Sequence, residues 1–135
     1  MFGEQHALTI EELEQLHRGK TGALIETAVR LGCYAAGIYE GNQMLDALVE
    51  YAQNIGLAFQ VIDDVLDCTQ SAEQLGKSVG SDARAQKTTF MSFYDVENAK
   101  LYAKELTDRS ISAIGEIENN ESLIALAQFL MARDY

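Results

Sequence analysis

The fold of this chain is decided by one segment, Ile55-Gly56-Leu57-Ala58-Phe59-Gln60-Val61-Ile62-Asp63-Asp64-Val65-Leu66-Asp67-Cys68. Apart from Gln60 and the three aspartates, its residues are apolar, small or a thiol. At about 100° per residue, a helix would place these four polar side chains within one arc of about 100°. A helix that is apolar around most of its circumference is normally buried. We therefore predict a core helix that projects three carboxylates into a single space.

Three carboxylates in one space need a partner. Two unit charges about 4 Å apart repel by roughly 4 kcal/mol at an effective dielectric constant near 20, so the acids must be protonated, paired or metal-bound. No basic residue lies between Glu50 and Lys77, and the absence of an internal counter-cation favours an external one. Oxygen ligands suit a hard ion such as Mg²⁺. The alternative is a solvated acidic stripe on a half-exposed helix.

The composition indicates one all-α domain. With 135 residues the chain is long enough for a sizeable core, and it has no proline but many helix-forming residues. A net charge of −11 argues against a nucleic-acid partner. The two cysteines, Cys33 and Cys68, lie in apolar contexts outside any zinc spacing, and we expect both to pack in the core. No signal peptide or membrane-spanning pattern is present, so we expect a cytoplasmic protein.

Local signals place the first helices. Thr9 and Glu12 form a capping box that opens a short amphipathic helix. A polar, glycine-flanked interruption is expected at 17–22, followed by an apolar helix over 23–38. Two glycines bracket the end of that helix: Gly37 and Gly41.

The helix that carries the aspartates is predicted over 43–68, with Asn42 as its cap. The stretch 69–88 loses helical periodicity and gains glycine, so we expect a long loop of the kind that is often functional. Within it, Ser71 and Gln74 are expected to cap a single turn.

Three further helices are predicted towards the carboxyl terminus. They cover 89–94, then 96–117 behind Asp95, and finally 121–133 behind Asn120. The apolar spacing of the last helix places four side chains inward: Leu123, Leu126, Ala127 and Leu130.

Two basic, glycine-flanked spots accompany the acidic cluster, one at Lys20 and Thr21 and one in the loop from Lys77 to Lys87. Metal held by carboxylates and lysines acting as point charges would together bind a polyanion such as a phosphate group. Thr21 adds a hydroxyl donor, and Gln60 lies one turn before the aspartates, where its amide can bind a ligand oxygen. The alternative for each lysine is a solvated surface cation.

Other polar and aromatic residues give no second site. Two histidines lack a partner at ligand spacing and are interpreted as structural: His6 and His17. Four aromatic residues are interpreted as core: Phe59, Phe90, Phe93 and Tyr94.

Residues 59–67 resemble the second aspartate-rich motif of the trans-isoprenyl diphosphate synthases, the family of farnesyl and geranylgeranyl diphosphate synthases. Residues 17–24 resemble the family's lysine–threonine motif, and 76–90 resemble its flexible loop. The three motifs occur in the family's order and at similar spacing, over residues 8–133.

The resemblance implies a bundle of long helices around a deep cavity, usually in a homodimer. It implies the head-to-tail condensation of an allylic diphosphate with isopentenyl diphosphate, with release of diphosphate. By the same resemblance, Mg²⁺ would bind Asp63, Asp64 and Asp67, with Asp63 as a direct ligand. Lys20, Lys77 and Lys87 would contact the allylic diphosphate. Thr21 and Gln60 would line the site beside the departing oxygen and the carbocation, and Phe59 would border the isopentenyl diphosphate pocket.

The sequence also departs from the family pattern. It lacks the Gly-Lys-Arg isopentenyl diphosphate site, the first aspartate-rich motif and the arginine pair that follows it. We therefore expect this chain to be the carboxyl-terminal half of a longer pattern, as a fragment, a truncated product or one piece of a split enzyme, and to be inactive alone. Met91 stands where the family often has proline, near the start of the local helix.

The sequence is compatible with three hypotheses for the function. The first is a prenyltransferase half-site. The second is a non-catalytic homologue that self-associates through helices left uncovered. The third, a generic metal-dependent phosphohydrolase, is disfavoured by the three ordered motifs.

Overall fold

A computed structural model describes residues 7–73 and 87–133, and the described residues form helices and turns without a β-strand. The α-helices of this part are α1 (Ile10–His17), α2 (Ala23–Ala35), α3 (Gln43–Glu73), α4 (Val96–Ala113) and α5 (Glu121–Met131). A π-helical turn, Arg18–Gly22, joins α1 to α2, and a 3₁₀ turn, Phe90–Ser92, precedes α4. The all-α prediction is confirmed.

The capping box at the start of α1 is confirmed. The Thr9 hydroxyl oxygen accepts a hydrogen bond from the Glu12 backbone N–H at 3.1 Å, and the Glu12 carboxylate accepts one from the Thr9 backbone N–H at 2.8 Å. The predicted interruption at 17–22 is wrong, because both flanking residues of the π turn keep right-handed helical backbone angles. Gly22 is buried there, so packing offsets the low helix propensity of glycine. The chain therefore winds continuously from α1 into α2.

The turn between α2 and α3 follows the sequence signals. Gly37 and Gly41 have φ of 80° and 92°, the left-handed region that favours glycine. The Asn42 side-chain oxygen accepts a hydrogen bond from the Met44 N–H at 2.8 Å, as a cap does. Two boundaries differ from prediction, since α2 ends at Ala35 and α3 continues to Glu73.

Because α3 extends to Glu73, the prediction that a loop begins at residue 69 is wrong. Ser71 lies within α3 and so does not begin a separate turn, whereas Gln74 falls outside the described residues. The next described turn begins at Thr89, whose hydroxyl oxygen accepts a hydrogen bond from the Met91 N–H at 3.1 Å. Proline in place of Met91 could not donate this bond.

The last two helices begin where predicted but end earlier. The Asp95 carboxylate caps α4 by accepting a hydrogen bond from the Asn98 N–H at 2.8 Å. Asn120 precedes α5 without capping it, because its side-chain amide donates to the Ile114 carbonyl at 2.8 Å. Of the four side chains predicted to face inward, Leu123, Ala127 and Leu130 pack in the core, but Leu126 is 45% exposed.

The long helix α3 runs through the core, as its apolar circumference predicts. One cluster joins it to α1, α4 and the 3₁₀ turn through fully buried side chains that include Leu13, Val61, Phe90 and Leu106. A second cluster joins it to α5, where the Tyr51 hydroxyl donates to the Leu123 carbonyl at 2.7 Å. No helix in the described ranges is both long and apolar enough to cross a bilayer.

The π turn approaches α3 closely at Gly56. A Cβ atom at this position would lie 3.2 Å from the Ile25 Cδ1 atom and 3.7 Å from the Gly22 Cα atom. The missing side chain therefore allows the turn that carries Thr21 to lie against α3, one helical turn before Gln60.

This close approach can be tested by comparing alanine substitutions at Gly56 and at Gly32, a helical glycine with open space around it. No atom lies within 4 Å of a Cβ at Gly32, so Gly32→Ala should raise the free energy of unfolding by about 0.5–1 kcal/mol, the usual helix gain. Gly56→Ala should lose that gain because Ile25 must move, and Gly56→Val should cost about 1–3 kcal/mol. Urea unfolding measures all three, and equal gains from both alanines would show that the crossing has room to spare.

Candidate functional site

The three aspartates lie on the carboxyl-terminal half of α3. Asp63 and Asp64 are half-buried and Asp67 is exposed. Burial raises the pKa of the Asp64 carboxyl above its usual value, and repulsion from Asp67 and Asp63 adds to this effect. A hydrogen bond and the Lys87 ammonium act in the opposite direction. The three carboxylates therefore interact electrostatically, as their shared arc predicts.

Asp63 has an internal cation, so the prediction that no counter-cation is available is wrong for this residue. The Arg133 guanidinium NH2 atom lies 3.0 Å from Asp63 Oδ1. The same guanidinium lies 4.2 Å from the centre of the Phe59 ring, in a cation–π contact. Arg133 follows α5 and is distant in sequence, so no local pattern could have found it. The only available signal was that α5 packs on α3.

Asp64 anchors the described segment that begins at Lys87. Its Oδ2 atom accepts a hydrogen bond from the Phe90 backbone N–H at 2.9 Å. Phe90 is fully buried, which confirms its interpretation as core. This contact places Lys87, three residues earlier, close enough to influence the Asp64 carboxyl.

Thr21 and Gln60 meet across the crossing of the π turn and α3. The Gln60 side-chain amide donates a hydrogen bond to the Thr21 hydroxyl oxygen at 3.1 Å. Both side chains are half-buried, and the neighbouring Lys20 is exposed. Thr21 and Gln60, both proposed from the sequence as ligand-binding residues, are thus in contact.

His17 lies near one lysine from each of the two basic segments. Its ring stacks on Phe90 with 5.4 Å between ring centres, in keeping with its structural interpretation. Burial lowers the pKa of His17, and the charges of Lys20 and Lys87 lower it further. Because both lysines act on the same imidazole, the π turn and the segment before Phe90 bring positive charge to one region.

The sequence model of the polyprenyl synthetase family matches residues 1–127. The chain belongs to the polyprenyl synthetase family. It is 44% identical over 127 residues to a geranylgeranyl diphosphate synthase of Cyanophora paradoxa, covering 93% of this chain and 42% of that protein. It is 39% identical over 129 residues to a farnesyl diphosphate synthase of Escherichia coli K12, covering 93% of this chain and 43% of that protein.

A solved structure shares the fold of this polyprenyl synthetase chain. It is a candidate farnesyl-diphosphate synthase from Marinomonas sp. MED121, with a TM-score of 0.77 and 32% identity over 96% of this chain and 43% of that one. The family resemblance and the all-α fold are therefore confirmed. The chain spans less than half the length of the relatives it matches.

The donor set suits the divalent metal that the polyprenyl synthetase family implies. Among the described side chains, no group of three His, Cys, Asp or Glu residues converges as a ready-made metal cage. Mg²⁺ usually takes one or two carboxylates and completes its shell with water and substrate phosphates. Asp63 and Asp67 repel the charged form of Asp64, and a bound cation would relieve this repulsion. The aspartates thus fit a metal shared with a phosphate ligand.

The remaining sequence predictions have mixed outcomes. Cys33 is buried as expected, but Cys68 is exposed on the solvent side of α3. Phe93 is 40% exposed and Tyr94 packs at the edge of the core, so the core interpretation is wrong for Phe93. Two predicted residues lie outside the described residues: His6 and Lys77.

An open groove of about 770 Å³ lies between α3 and α4, nearer the amino-terminal end of α3. Four of its charged side chains pair along α4, Lys104 with Asp108 and Arg109 with Glu105, both at 2.9 Å. These exposed pairs are typical of a solvated helix surface. The groove is therefore separate from the aspartate site.

Proposed function

We propose that this chain supplies one half of a prenyltransferase site that condenses an allylic diphosphate with isopentenyl diphosphate. The observation that supports the proposal is the Thr21–Gln60 contact one helical turn before Asp63 and Asp64, together with the Lys87 charge that acts on Asp64. Family membership supports it independently, since the relatives named above are farnesyl and geranylgeranyl diphosphate synthases. The chain is proposed to be inactive without the remainder of the family pattern.

The positive groups would bind and stabilise the departing diphosphate. Breaking a carbon–oxygen bond to diphosphate places growing negative charge on the leaving group. Mg²⁺ held by Asp63, Asp64 and Asp67 would supply neutralising charge when bound. Lys20 and Lys87 would act as point charges on the same oxygens, with Lys77 proposed from the family motif.

Thr21 would donate a hydrogen bond to the leaving oxygen. Its Oγ1 atom accepts from the Gln60 amide, so its hydroxyl hydrogen is free to point at a ligand. Gln60 uses its Nε2 atom for this contact, which leaves its amide oxygen to face developing positive charge on carbon. Phe59 would border the isopentenyl diphosphate pocket and help to exclude water from the cation.

Two measurements test this proposal. Condensation of radiolabelled isopentenyl diphosphate should be absent with the chain alone and should appear when the amino-terminal half of the E. coli relative is added. Robust turnover by the lone chain would contradict the incomplete-site proposal. Calorimetry should show only weak Mg²⁺ binding without a phosphate ligand, so micromolar or tighter binding of Mg²⁺ alone would also contradict it.

The lysines have a matched control. Lys20→Gln combined with Lys87→Gln should remove the binding of inorganic diphosphate in the presence of Mg²⁺. Lys100→Gln combined with Lys104→Gln changes the net charge equally on the exposed face of α4 and should leave binding almost unchanged. If both double variants lost diphosphate binding equally, the effect would come from net charge and not from a specific contact of Lys20 or Lys87.

A second candidate function, a non-catalytic role through self-association, is favoured by the exposed apolar side chains. Leu24 and Leu31 are 72% and 61% exposed on one face of α2, and Phe129 is 69% exposed on α5. Large exposed apolar side chains mark association surfaces when they cluster. Light scattering should then show a homodimer or larger oligomer, and a clean monomer at high concentration would count against it.

A further inference from the structure

Arg133 is held by four contacts that involve different parts of the guanidinium group. One NH2 atom pairs with Asp63 Oδ1 at 3.0 Å and donates to the Phe59 carbonyl at 3.4 Å. The Nε atom donates to the Leu130 carbonyl at 3.3 Å, and the plane lies over the Phe59 ring. The side chain is only 14% exposed. Arg133 is therefore a largely buried cation that packs against the aspartate-rich helix.

Only one of these contacts depends on a carboxylate. If Asp63 turned to another cation, the guanidinium would keep both carbonyl acceptors and the aromatic ring. Because these contacts would hold the guanidinium in place, its positive charge would remain beside Asp63 after the exchange. The exchange thus costs one ion pair and leaves Arg133 in place.

The three aspartates are not equivalent towards this arginine. The Asp64 carboxylate already accepts a hydrogen bond from the Phe90 backbone N–H, and Asp67 is exposed. Among the described ion pairs, the one that involves the motif joins Asp63 to Arg133. A divalent cation on Asp63 would meet the positive guanidinium a few ångströms away, and like charges at that distance repel.

We propose that Arg133 is a positioning residue that occupies the Asp63 carboxylate in the metal-free chain and competes with the divalent cation for it. The proposal deepens the proposed function and rests on it, because it requires that the aspartates take a metal together with diphosphate. Arg133, which follows α5, would then directly influence the affinity of the aspartates for a metal. The proposal also explains how a carboxylate cluster remains folded before any metal arrives.

Calorimetric titration with Mg²⁺ at saturating inorganic diphosphate tests the competition. Arg133→Gln should lower the dissociation constant for Mg²⁺ about tenfold, the size expected for one partly buried ion pair. Arg109→Gln makes the same change in net charge at an exposed pair on α4 and should leave the constant unchanged. Arg133→Lys keeps the charge and should retain weak binding.

The outcomes separate this inference from the proposed function. If Asp67→Asn loses Mg²⁺ binding but Arg133→Gln leaves it unchanged or weakens it, the competition is refuted and the metal site stands. If Arg133→Lys tightens binding as much as Arg133→Gln, charge is not the cause and the inference fails. If neither Asp67→Asn nor Arg133→Gln changes binding, the proposed function fails together with the inference.

A second measurement begins with the metal-free chain, where the metal affinity of the variants plays no part. A double-mutant cycle with Asp63→Asn and Arg133→Gln in urea unfolding should show coupling between the two residues in the metal-free chain. With Mg²⁺ and diphosphate at saturation, the coupling should vanish or change sign. Coupling that persists unchanged would mean that Asp63 never exchanges its partner, which refutes the inference.

Discussion

Asp64→Asn should weaken Mg²⁺-dependent binding of diphosphate about a hundredfold or more while making the metal-free chain more stable at neutral pH. Binding should fall because a neutral amide replaces a proposed carboxylate ligand, and even changes around metal ligands cost about 10–100-fold in affinity. Stability rises because the amide keeps an oxygen that accepts from the Phe90 N–H, yet carries no charge in a half-buried position. Calorimetry measures the first effect and urea unfolding the second.

The stability effect of Asp64 should depend on pH with a defined sign. The folded chain raises the pKa of this carboxyl above the ordinary 3.8, so folding favours the protonated form. Its stabilising contribution is present below the ordinary value and is lost as the pH rises through the raised pKa. The advantage of Asp64→Asn over the natural chain should therefore grow between about pH 4 and neutrality.

Two further variants isolate the causes. Asp64→Ala also removes the acceptor of the buried Phe90 N–H and should lose about 1–3 kcal/mol relative to Asp64→Asn. Asp108→Asn removes an exposed carboxylate on α4 and should change neither the binding nor the pH dependence. A destabilised Asp64→Asn chain with normal diphosphate binding would show that Asp64 is structural.

Phe90→Ala should cost about 3–5 kcal/mol of unfolding free energy, the range for truncating a large buried aromatic side chain. Its ring is fully buried among residues of α1, α3 and α4, and it stacks on His17. Since small domains have about 5–15 kcal/mol of stability in total, a measurable fraction of this variant should be unfolded. Circular dichroism during urea unfolding measures the loss.

Two substitutions control for volume and position. Phe90→Leu keeps much of the apolar volume and should cost less than about 1.5 kcal/mol. Phe93→Ala truncates a phenylalanine that is 40% exposed three residues later and should cost less than about 1 kcal/mol. If Phe90→Ala behaved like Phe93→Ala, the 3₁₀ turn could not be the anchor that places Lys87.

Features that depend on neighbouring residues were predictable from the sequence. The capping box at Thr9, the cap at Asn42 and the left-handed glycines at 37 and 41 follow from local hydrogen bonding and sterics. The burial of α3 follows from its apolar circumference. The contact between Thr21 and Gln60 could be predicted only as shared chemistry, because its geometry depends on a close helix crossing.

Features that depend on distant residues were not predictable. Asp63 finds its cation beyond α5, and no spacing rule connects the two positions. The exposure of Leu126 and Cys68 depends on which helix faces have neighbours, and periodicity alone does not supply this information. The glycines in the five-residue turn at 18–22 predict a break between two helices, because glycine has a low helix propensity. Tertiary packing of the turn nevertheless keeps it helical.

The π turn also fixes the number of residues between α1 and α2. Each residue in a helix advances the chain by about 100°, so loss or gain of one residue would rotate α2 by about that angle relative to α1. Glu26, which accepts a hydrogen bond from Gln53 at 2.9 Å, would then face away from α3. Natural variants of this chain should therefore tolerate changes of length in the turn at 36–42 and exclude them from 18–22, even at positions whose side chains are free to vary.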